Sequence, residues 1–253
     1  MTLRFCPTLR ARIELPPSKS ISARALIVQA YAGQDGMVAG LSDCDDTRAM
    51  RHALTVGRHD TTVDIGASGT AMRFLTAYFA TREGETHILT GTARMLQRRI
   101  GPLVDALRTL GAEIHYEGAA GYPPLRIVGH SLQGGRVSIA ANVSSQYISA
   151  LMMAGAVMPQ GLTIELLGKT ASRPYIEMTL QLMRQWTAIR SPYFLEKAII
   201  GKRLTTSNPT GARLPTGMRW WHFRRTPKPR SNCPDCRPKA SRATAYVPRS
   251  SVL

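Results

Sequence analysis

Lys19, Ser20 and Arg24 form the first group of residues whose types and spacing could do chemistry. They follow a Pro-Pro pair and stand at the start of a predicted helix over 20–31. The start of a helix leaves backbone N–H groups free, and a lysine, hydroxyls and an arginine one turn further along add positive charge there. This group predicts an anion-binding site. On residue types alone, a solvated helix start with ordinary surface charges is an equal alternative.

A second group runs from Asp64 to Arg73, in the sequence DIGASGTAMR. A predicted strand passes through a glycine turn into a helix, so the backbone at these glycines could approach a ligand closely. The pattern is neither a Walker A loop nor a dinucleotide-binding GxGxxG, and a plain strand-to-helix turn is the alternative. Arg94 follows the next strand and could grip a carboxylate or phosphate, although a lone arginine is usually a solvated surface residue.

Two further helix starts carry hydroxyl and amide groups. Ser144, Ser145 and Gln146 precede an apolar helix, and Ser172 and Tyr175 precede another. These groups suit the recognition of phosphate and hydroxyl groups, and simple N-capping is the alternative for each. Taken together, the segments supply fixed cations, hydroxyls and an amide at successive junctions, which suits a small polyanionic substrate.

Alternating strand and helix patterns surround these groups. Strands are predicted over 10–15, 61–66, 86–91, 112–117, 125–129, 136–140 and 162–167, and helices over 20–31, 70–80, 100–110, 146–157 and 175–183. The strands at 125–129 and 136–140 flank a glycine-rich turn, and the aspartates at 43, 45 and 46 are interpreted as organising a loop. The recurrence of helices and short strands predicts an α/β fold built from a repeated unit.

The positive charge is concentrated at one end of the chain. The 253 residues carry a net charge of +17, of which residues 1–182 account for +4 and residues 183–253 for +13. From about Trp186 onward periodicity fades, and Arg, Pro, Lys, Ser and Thr dominate. Such a segment buries too little apolar surface to offset its ordering entropy, so 187–253 is predicted to be a disordered, basic, Pro-rich tail.

Two other interpretations depend on this tail. Its charge, with Trp220-Trp221 and Phe223 as stacking groups, would allow nonspecific nucleic-acid binding. Cys233 and Cys236, with His222 as the nearest third ligand, would be the start of a zinc module, but one CxxC pair is weak support. Four scattered cysteines, no long apolar run and no secretion signal predict a cytoplasmic protein without a membrane span.

Six blocks, in order, resemble the 5-enolpyruvylshikimate-3-phosphate (EPSP) synthase family, also called 3-phosphoshikimate 1-carboxyvinyltransferase. They are PPSKSISARALI, LSDCDDTRAM, GASGTAMRFL, LTGTARMLQRRIGPLVDALRTLGAEI, VSSQYISALMMA and SRPYIEMT. The resemblance covers residues 11 to about 184. It implies a transferase of the shikimate pathway that moves the enolpyruvyl group of phosphoenolpyruvate to shikimate-3-phosphate, a step of chorismate and aromatic amino-acid biosynthesis. It also implies a cytoplasmic monomer that needs no metal or organic cofactor.

The resemblance carries over to particular positions. Shikimate-3-phosphate would be bound by Lys19, Ser20, Arg24, Ser144, Ser145, Gln146, Ser172 and Tyr175. Phosphoenolpyruvate would be bound by Lys19, Gly69, Arg94 and Gln146.

The resemblance also implies what the chain lacks. The family fold has two domains of repeated βαβαββ units, and this chain follows the pattern only through about two and a half units. Residues 1–186 are therefore interpreted as an incomplete first domain, with the second domain absent and 187–253 as an unrelated tail. The family's catalytic acids belong to the missing part, so no catalytic residue is assigned and the chain alone is expected to be inactive. A frameshift is the hypothesis for the tail.

Overall fold

The computed structural model describes residues 14–33, 38–56, 61–168, 172–190 and 198–203. Helices and short strands alternate through these ranges. The helices are α1 (Lys19–Tyr31), α2 (Asp45–Ala53), α3 (Gly69–Ala80), α4 (Ala93–Leu96), α5 (Gly101–Thr109), α6 (Ser145–Gly155) and α7 (Arg173–Arg190). The strands are β1 (Thr61–Asp64), β2 (Thr86–Thr90), β3 (Glu113–Tyr116), β4 (Leu125–Val128), β5 (Gly135–Ala140), β6 (Leu162–Leu167) and β7 (Ala198–Arg203).

The strands form two sheets. In the first sheet the order is β1-β2-β4-β3, with β1 parallel to β2 and β4 antiparallel to both β2 and β3. With α3 and α5 between the strands, this sheet makes one complete βαβαββ unit. In the second sheet β5, β6 and β7 are parallel, joined through α6 and α7. The predicted α/β fold of repeated units is confirmed.

The core lies around α3 and α6. Every residue of α3 is buried, and so are ten of the eleven residues of α6. A helix that is apolar on all sides belongs in an interior rather than at a surface. The two helices contact each other, with α1 and α7 packed alongside. Because the central helices are buried from their first turn onward, their N-termini are held in fixed positions.

Most of the predicted elements are confirmed within one or two residues, and one interpretation is corrected in part. Of the aspartates interpreted as organising a loop, Asp43 precedes helix α2 and accepts a hydrogen bond from Arg48 at 3.0 Å, whereas Asp45 and Asp46 form the first turn of α2, where their carboxylates favour the helix N-terminus. The strands at 125–129 and 136–140 lie on either side of their glycine-rich turn as predicted, and β4 belongs to the first sheet whereas β5 belongs to the second.

The predicted boundary near 186 lies inside an element. Helix α7 continues through it to Arg190, and β7 lies within the segment that was predicted to be disordered. The parallel edge of β6 supplies backbone hydrogen-bonding partners to β7, which the local composition did not reveal. The rest of the predicted tail lies outside the described residues, as does most of the predicted strand over 10–15. Glu14 and Leu15 are not in a strand.

Candidate functional site

Arg24 lies at the centre of the site. Its side chain is buried, with 2% exposure. The guanidinium group donates to Thr179 Oγ1 at 2.7 Å, to the Ser20 carbonyl at 2.9 Å and to Ser149 Oγ at 3.2 Å. The two hydroxyls also bond each other at 2.9 Å. One side chain therefore joins helices α1, α6 and α7.

Two aromatic rings flank this guanidinium group. The Arg24 Cζ atom lies 5.3 Å from the centre of the Phe74 ring and 5.8 Å from that of Tyr175. Desolvation lowers the pKa of Arg24 to about 10, and the nearby Tyr175 partly opposes the shift. All of these contacts lie within the first two turns of their helices. The N-terminal halves of α1, α3, α6 and α7 consequently meet around a buried cation.

Lys19 occupies the open side of this arrangement. It is the first residue of α1, its side chain is 54% exposed, and its Nζ atom lies 3.0 Å from Asp46 Oδ2 at the start of α2. The N-cap residue, Ser18, makes no side-chain capping hydrogen bond. Solvent can therefore reach the ammonium group of Lys19, and the helix N-terminus beside it has no side-chain cap. An anion site requires both an accessible cation and free backbone N–H groups.

Gly69 begins α3 and lies against two arginines. A methyl group in place of its hydrogen would stand 2.6 Å from Arg73 Nη1 and 2.8 Å from Arg98 Cζ. The two guanidinium groups thus share the space over Gly69. Arg94, which the sequence favoured, is an exposed residue of the short helix α4. The structure places Arg98, not Arg94, against Gly69.

The start of α6 is tied to the start of α3. Ser144 is the N-cap of α6 and accepts a hydrogen bond from the Gln146 N–H at 3.3 Å. Gln146 Nε2 donates to Thr70 Oγ1 at 3.0 Å, and Ser145 is buried beside it. The amide that the sequence assigned to both ligands therefore lies between the two helix N-termini.

Ser172 and Tyr175 lie at the start of α7. Ser172 has a φ of 55°, in the left-handed region that residues other than glycine seldom adopt. Its carbonyl accepts the Tyr175 N–H at 3.1 Å. Tyr175 is 44% exposed, so its ring contributes to the Arg24 contact while part of it faces solvent. The predicted site residues at this end are adjacent to the Arg24 cluster.

The sequence left Arg73 and Arg98 without a role. A local signal for Arg73 was present, because it is an arginine that stands one turn beyond Gly69 in a helix whose other residues are mostly apolar or small. Arg98 could not be distinguished from Arg94 and Arg99, because nothing local shows which arginine after β2 turns back toward α3.

The side chains of the described site have the chemistry that an anion-binding site would need. Lysine, arginine, hydroxyl and amide groups dominate it, together with several helix N-termini. Among the described residues there is no group of three or more histidine, cysteine or acidic side chains arranged to hold a metal ion. Within the same residues no helix is both long enough and apolar enough to cross a membrane.

These features define an α/β protein with a candidate anion site where helix N-termini meet, and comparison with known proteins is consistent with this class. A family model described as EPSP synthase (3-phosphoshikimate 1-carboxyvinyltransferase) matches residues 55–189. The chain belongs to the EPSP synthase family.

Individual relatives agree with this assignment. A 3-phosphoshikimate 1-carboxyvinyltransferase of Bacteroides fragilis (strain YCH46) is 54% identical over 183 residues, which cover 72% of this chain and 44% of the relative. The relative of that name from Psychromonas ingrahamii is 38% identical over 78% of this chain and 52% of its own length. The chain thus spans about half the length of these relatives.

A solved structure shows the same fold. EPSP synthase from Acinetobacter baumannii matches with a TM-score of 0.56 and 23% sequence identity. The match covers 68% of this chain and 43% of that one.

Proposed function

We propose that the described residues form the shikimate-3-phosphate side of an enolpyruvyl transferase site. The observation that carries this proposal is Arg24, which is buried among the first two turns of four helices and has no carboxylate partner within the described residues. An arginine that is buried without a counter-ion is costly, and an anionic ligand would compensate it. The predicted set of Lys19, Ser20, Ser144, Ser145, Gln146, Ser172 and Tyr175 belongs to the same helix starts.

The proposal extends to phosphoenolpyruvate through Lys19, Gly69, Arg94 and Gln146. Gly69 and Gln146 lie at the two central helix starts, and Lys19 offers an accessible ammonium group. Arg94, in the short helix after β2, keeps the role that the resemblance implies, and Arg98, whose guanidinium group lies over Gly69, would add a second cation there. A phosphate group near Gly69 would find both a helix N-terminus and a planar guanidinium donor.

The chemistry would be the transfer of an enolpyruvyl group with release of phosphate. It requires protonation of the phosphoenolpyruvate methylene group, removal of the proton from the acceptor hydroxyl and stabilisation of the developing charge. We assign the binding of both anions to the described residues and assign no catalytic acid among them. The chain spans only 44% of its Bacteroides relative, and we expect little turnover from it alone.

The wider setting is part of the same proposal. The reaction belongs to chorismate and aromatic amino-acid biosynthesis, and we place it in the cytoplasm, in a monomer that uses no cofactor. The one cysteine within the described residues, Cys44, is a free thiol, which fits a reducing compartment. The basic residues behind the nucleic-acid alternative lie mostly outside the described ranges, and no observation favours that alternative.

Calorimetry on the full chain tests the proposal. Shikimate-3-phosphate should bind, whereas shikimate without its phosphate should bind far more weakly. Lys19→Met should lower the affinity about tenfold, the value of one hydrogen bond from a charged group. Arg136→Met is the matched control, since Arg136 is 70% exposed and pairs with Glu165 on another face. Equal affinity for the two compounds, or no binding of either, would refute the shikimate-3-phosphate assignment.

A phosphate-release assay tests the expectation about turnover. The full chain is mixed with both substrates, and released phosphate is followed with time. We expect release no faster than in the absence of protein. Turnover at an ordinary enzymatic rate, about 1–1000 per second, would contradict this expectation.

A further inference from the structure

A cavity of about 500 Å³ lies between helix α5 and the loop that joins β3 to β4. Sites for small molecules commonly enclose about 300–1,000 Å³, so this cavity is large enough to hold one. Of the described residues, none that was assigned to the two substrates lines it. Its lining instead combines charged, aromatic and small residues, among them Arg99, Asp105, Arg108 and Tyr116.

Backbone contacts fix the wall of the cavity at the start of α5. The N–H groups of Ile100 and Gly101 both donate to the Gly121 carbonyl, at 2.9 and 3.2 Å. Gly101 also lies close to Tyr116, because a methyl group in place of its hydrogen would stand 3.9 Å from the Tyr116 hydroxyl oxygen. The loop between β3 and β4 is thereby held against the helix, and a ligand would not have to order it.

A second wall is built on Tyr116, which is half-buried at the end of β3. Arg108 Cζ lies 4.9 Å from the centre of the Tyr116 ring, and Arg108 Nε donates to the Ile114 carbonyl at 3.0 Å. Burial raises the pKa of Tyr116, the carboxylate of Asp105 adds to the rise, and Arg108 opposes it. Charges of both signs therefore act on one hydroxyl group that borders the cavity.

Two charged groups of opposite sign border the cavity without pairing. Within the described residues, the guanidinium group of Arg99 and the carboxylate of Asp105 have no hydrogen-bonding or ion-pair partner. Arg99 is held through its backbone carbonyl, which accepts from Arg73 Nη2 at 3.2 Å and from the Tyr147 hydroxyl at 2.5 Å. Asp105 accepts from Thr109 Oγ1 at 2.9 Å, also through its carbonyl. Both side-chain charges are consequently available to a ligand.

A ligand with one sign of charge would fit this lining poorly. Asp105 would repel an anion, and Arg99 and Arg108 would repel a cation. A zwitterion satisfies both, because its carboxylate can accept from a guanidinium group while its ammonium group donates to a carboxylate. Pro102 and Ala120 add apolar surface to the lining.

We propose that this cavity is a second ligand site, which binds a small zwitterion of the α-amino-acid class with an apolar side chain. Arg99 binds the carboxylate of this ligand, Asp105 binds its ammonium group, and its side chain lies against Tyr116. The site is independent of the proposed function, because its charged residues differ from those assigned to shikimate-3-phosphate and phosphoenolpyruvate.

Calorimetry on the full chain tests the proposal with three probes of similar shape. They are L-phenylalanine, 3-phenylpropionate, which lacks the ammonium group, and phenethylamine, which lacks the carboxylate. L-Phenylalanine should bind with a dissociation constant of about 1 mM or lower, and each of the other two at least about tenfold more weakly. Saturating shikimate-3-phosphate should not displace L-phenylalanine, because the two sites share no ligand-binding residue.

Two variants identify the binding groups. Asp105→Asn should abolish the preference for L-phenylalanine over 3-phenylpropionate, and Arg99→Gln should abolish the preference over phenethylamine. Asp43→Asn and Arg136→Gln are the matched controls, since both side chains are exposed ion-pair partners that do not line the cavity. The controls should keep both preferences, and near-ultraviolet circular dichroism checks the fold of each variant.

Several outcomes would overturn the proposal. Equal affinity of the wild type for the three probes is one, and no binding of L-phenylalanine at about 1 mM is another. A preference that survives in its variant would refute the role of that residue and with it the zwitterion assignment. Displacement of L-phenylalanine by shikimate-3-phosphate would also refute it, because the amino acid would then occupy the anion site. If the wild type binds L-phenylalanine but not shikimate-3-phosphate, the proposed function fails and the cavity assignment stands.

Discussion

Replacing Arg24 by methionine should weaken ligand binding while leaving the fold nearly as stable. The pKa of Arg24 falls from its ordinary value of 12.5 to about 10, chiefly through desolvation. At about 1.4 kcal/mol per unit of pKa, this difference means that burial disfavours the charged form of Arg24 by about 3 kcal/mol. Methionine removes that penalty and keeps an unbranched stem between the rings of Phe74 and Tyr175.

The hydrogen bonds lost with the guanidinium group offset this gain. Arg24 donates three of them, each with a net value of about 1 kcal/mol. The hydroxyls of Ser149 and Thr179 still bond each other, and Thr179 also donates to the Tyr175 carbonyl at 2.9 Å, so no buried hydroxyl is left without a partner. The expected change in the free energy of unfolding is therefore within about 1 kcal/mol of zero.

Two measurements on the same protein test this reasoning. Urea unfolding of Arg24→Met should give a free energy close to that of the wild type, with the same dependence on urea. Calorimetry should show shikimate-3-phosphate affinity reduced about 10- to 100-fold, as expected for a lost hydrogen bond from a charged group. A loss of stability above about 3 kcal/mol would refute the energetic argument, because the fold would then depend on the charge. Unchanged affinity would refute the functional one.

Two other predictions concern Gly69 and Tyr31. Gly69→Ala should lower thermal stability, because the added methyl group would stand 2.6 Å from Nη1 of the buried Arg73, and this clash outweighs the preference of alanine for a helix of about 0.5–1 kcal/mol. The displaced guanidinium group of Arg98 should cost about tenfold in phosphoenolpyruvate affinity by calorimetry, and wild-type affinity would contradict the placement of Arg98. Burial raises the pKa of Tyr31 above its ordinary value of 10, so the unfolded chain loses this proton first as the pH rises. Above pH 10 the wild type should therefore lose stability relative to Tyr31→Phe, by up to about 1.4 kcal/mol per pH unit. Urea unfolding between about pH 8 and 11 measures this difference, and parallel curves for the two proteins would disprove it.

One physical cause explains why Arg24→Met is expected to weaken ligand binding while leaving the fold nearly as stable. Arg24 and Arg73 are buried cations whose protein partners in the described residues are hydroxyls, carbonyls and aromatic rings. Such groups satisfy the N–H donors but do not neutralise the charge. A site of this kind is held in place by the surrounding core, and the binding of an anion is expected to stabilise the folded protein. Thermal unfolding with added ligand is therefore a sensitive readout for every variant above.

Several elements could be predicted from the sequence because their signal is local. The apolar character of 70–80 and 146–157 on every face predicted the two buried helices, α3 and α6. The blocks SKS, GASGTAMR and SSQ marked three of the helix starts that form the candidate site. Spacing along the chain sets the period and the ends of an element, and these are properties of a few neighbouring residues.

The contacts that make the site depended on tertiary structure. Arg24 meets Ser149 and Thr179, which lie 125 and 155 positions further along the chain. Only the packing of α1 against α6 and α7 brings them together. The position of Arg98 over Gly69 likewise depends on how the segment after β2 turns back. Strand β7 depends on the open edge of β6. Local patterns determine which elements form, but which of them become neighbours depends on burying their faces against one another, and that choice is a property of the whole fold.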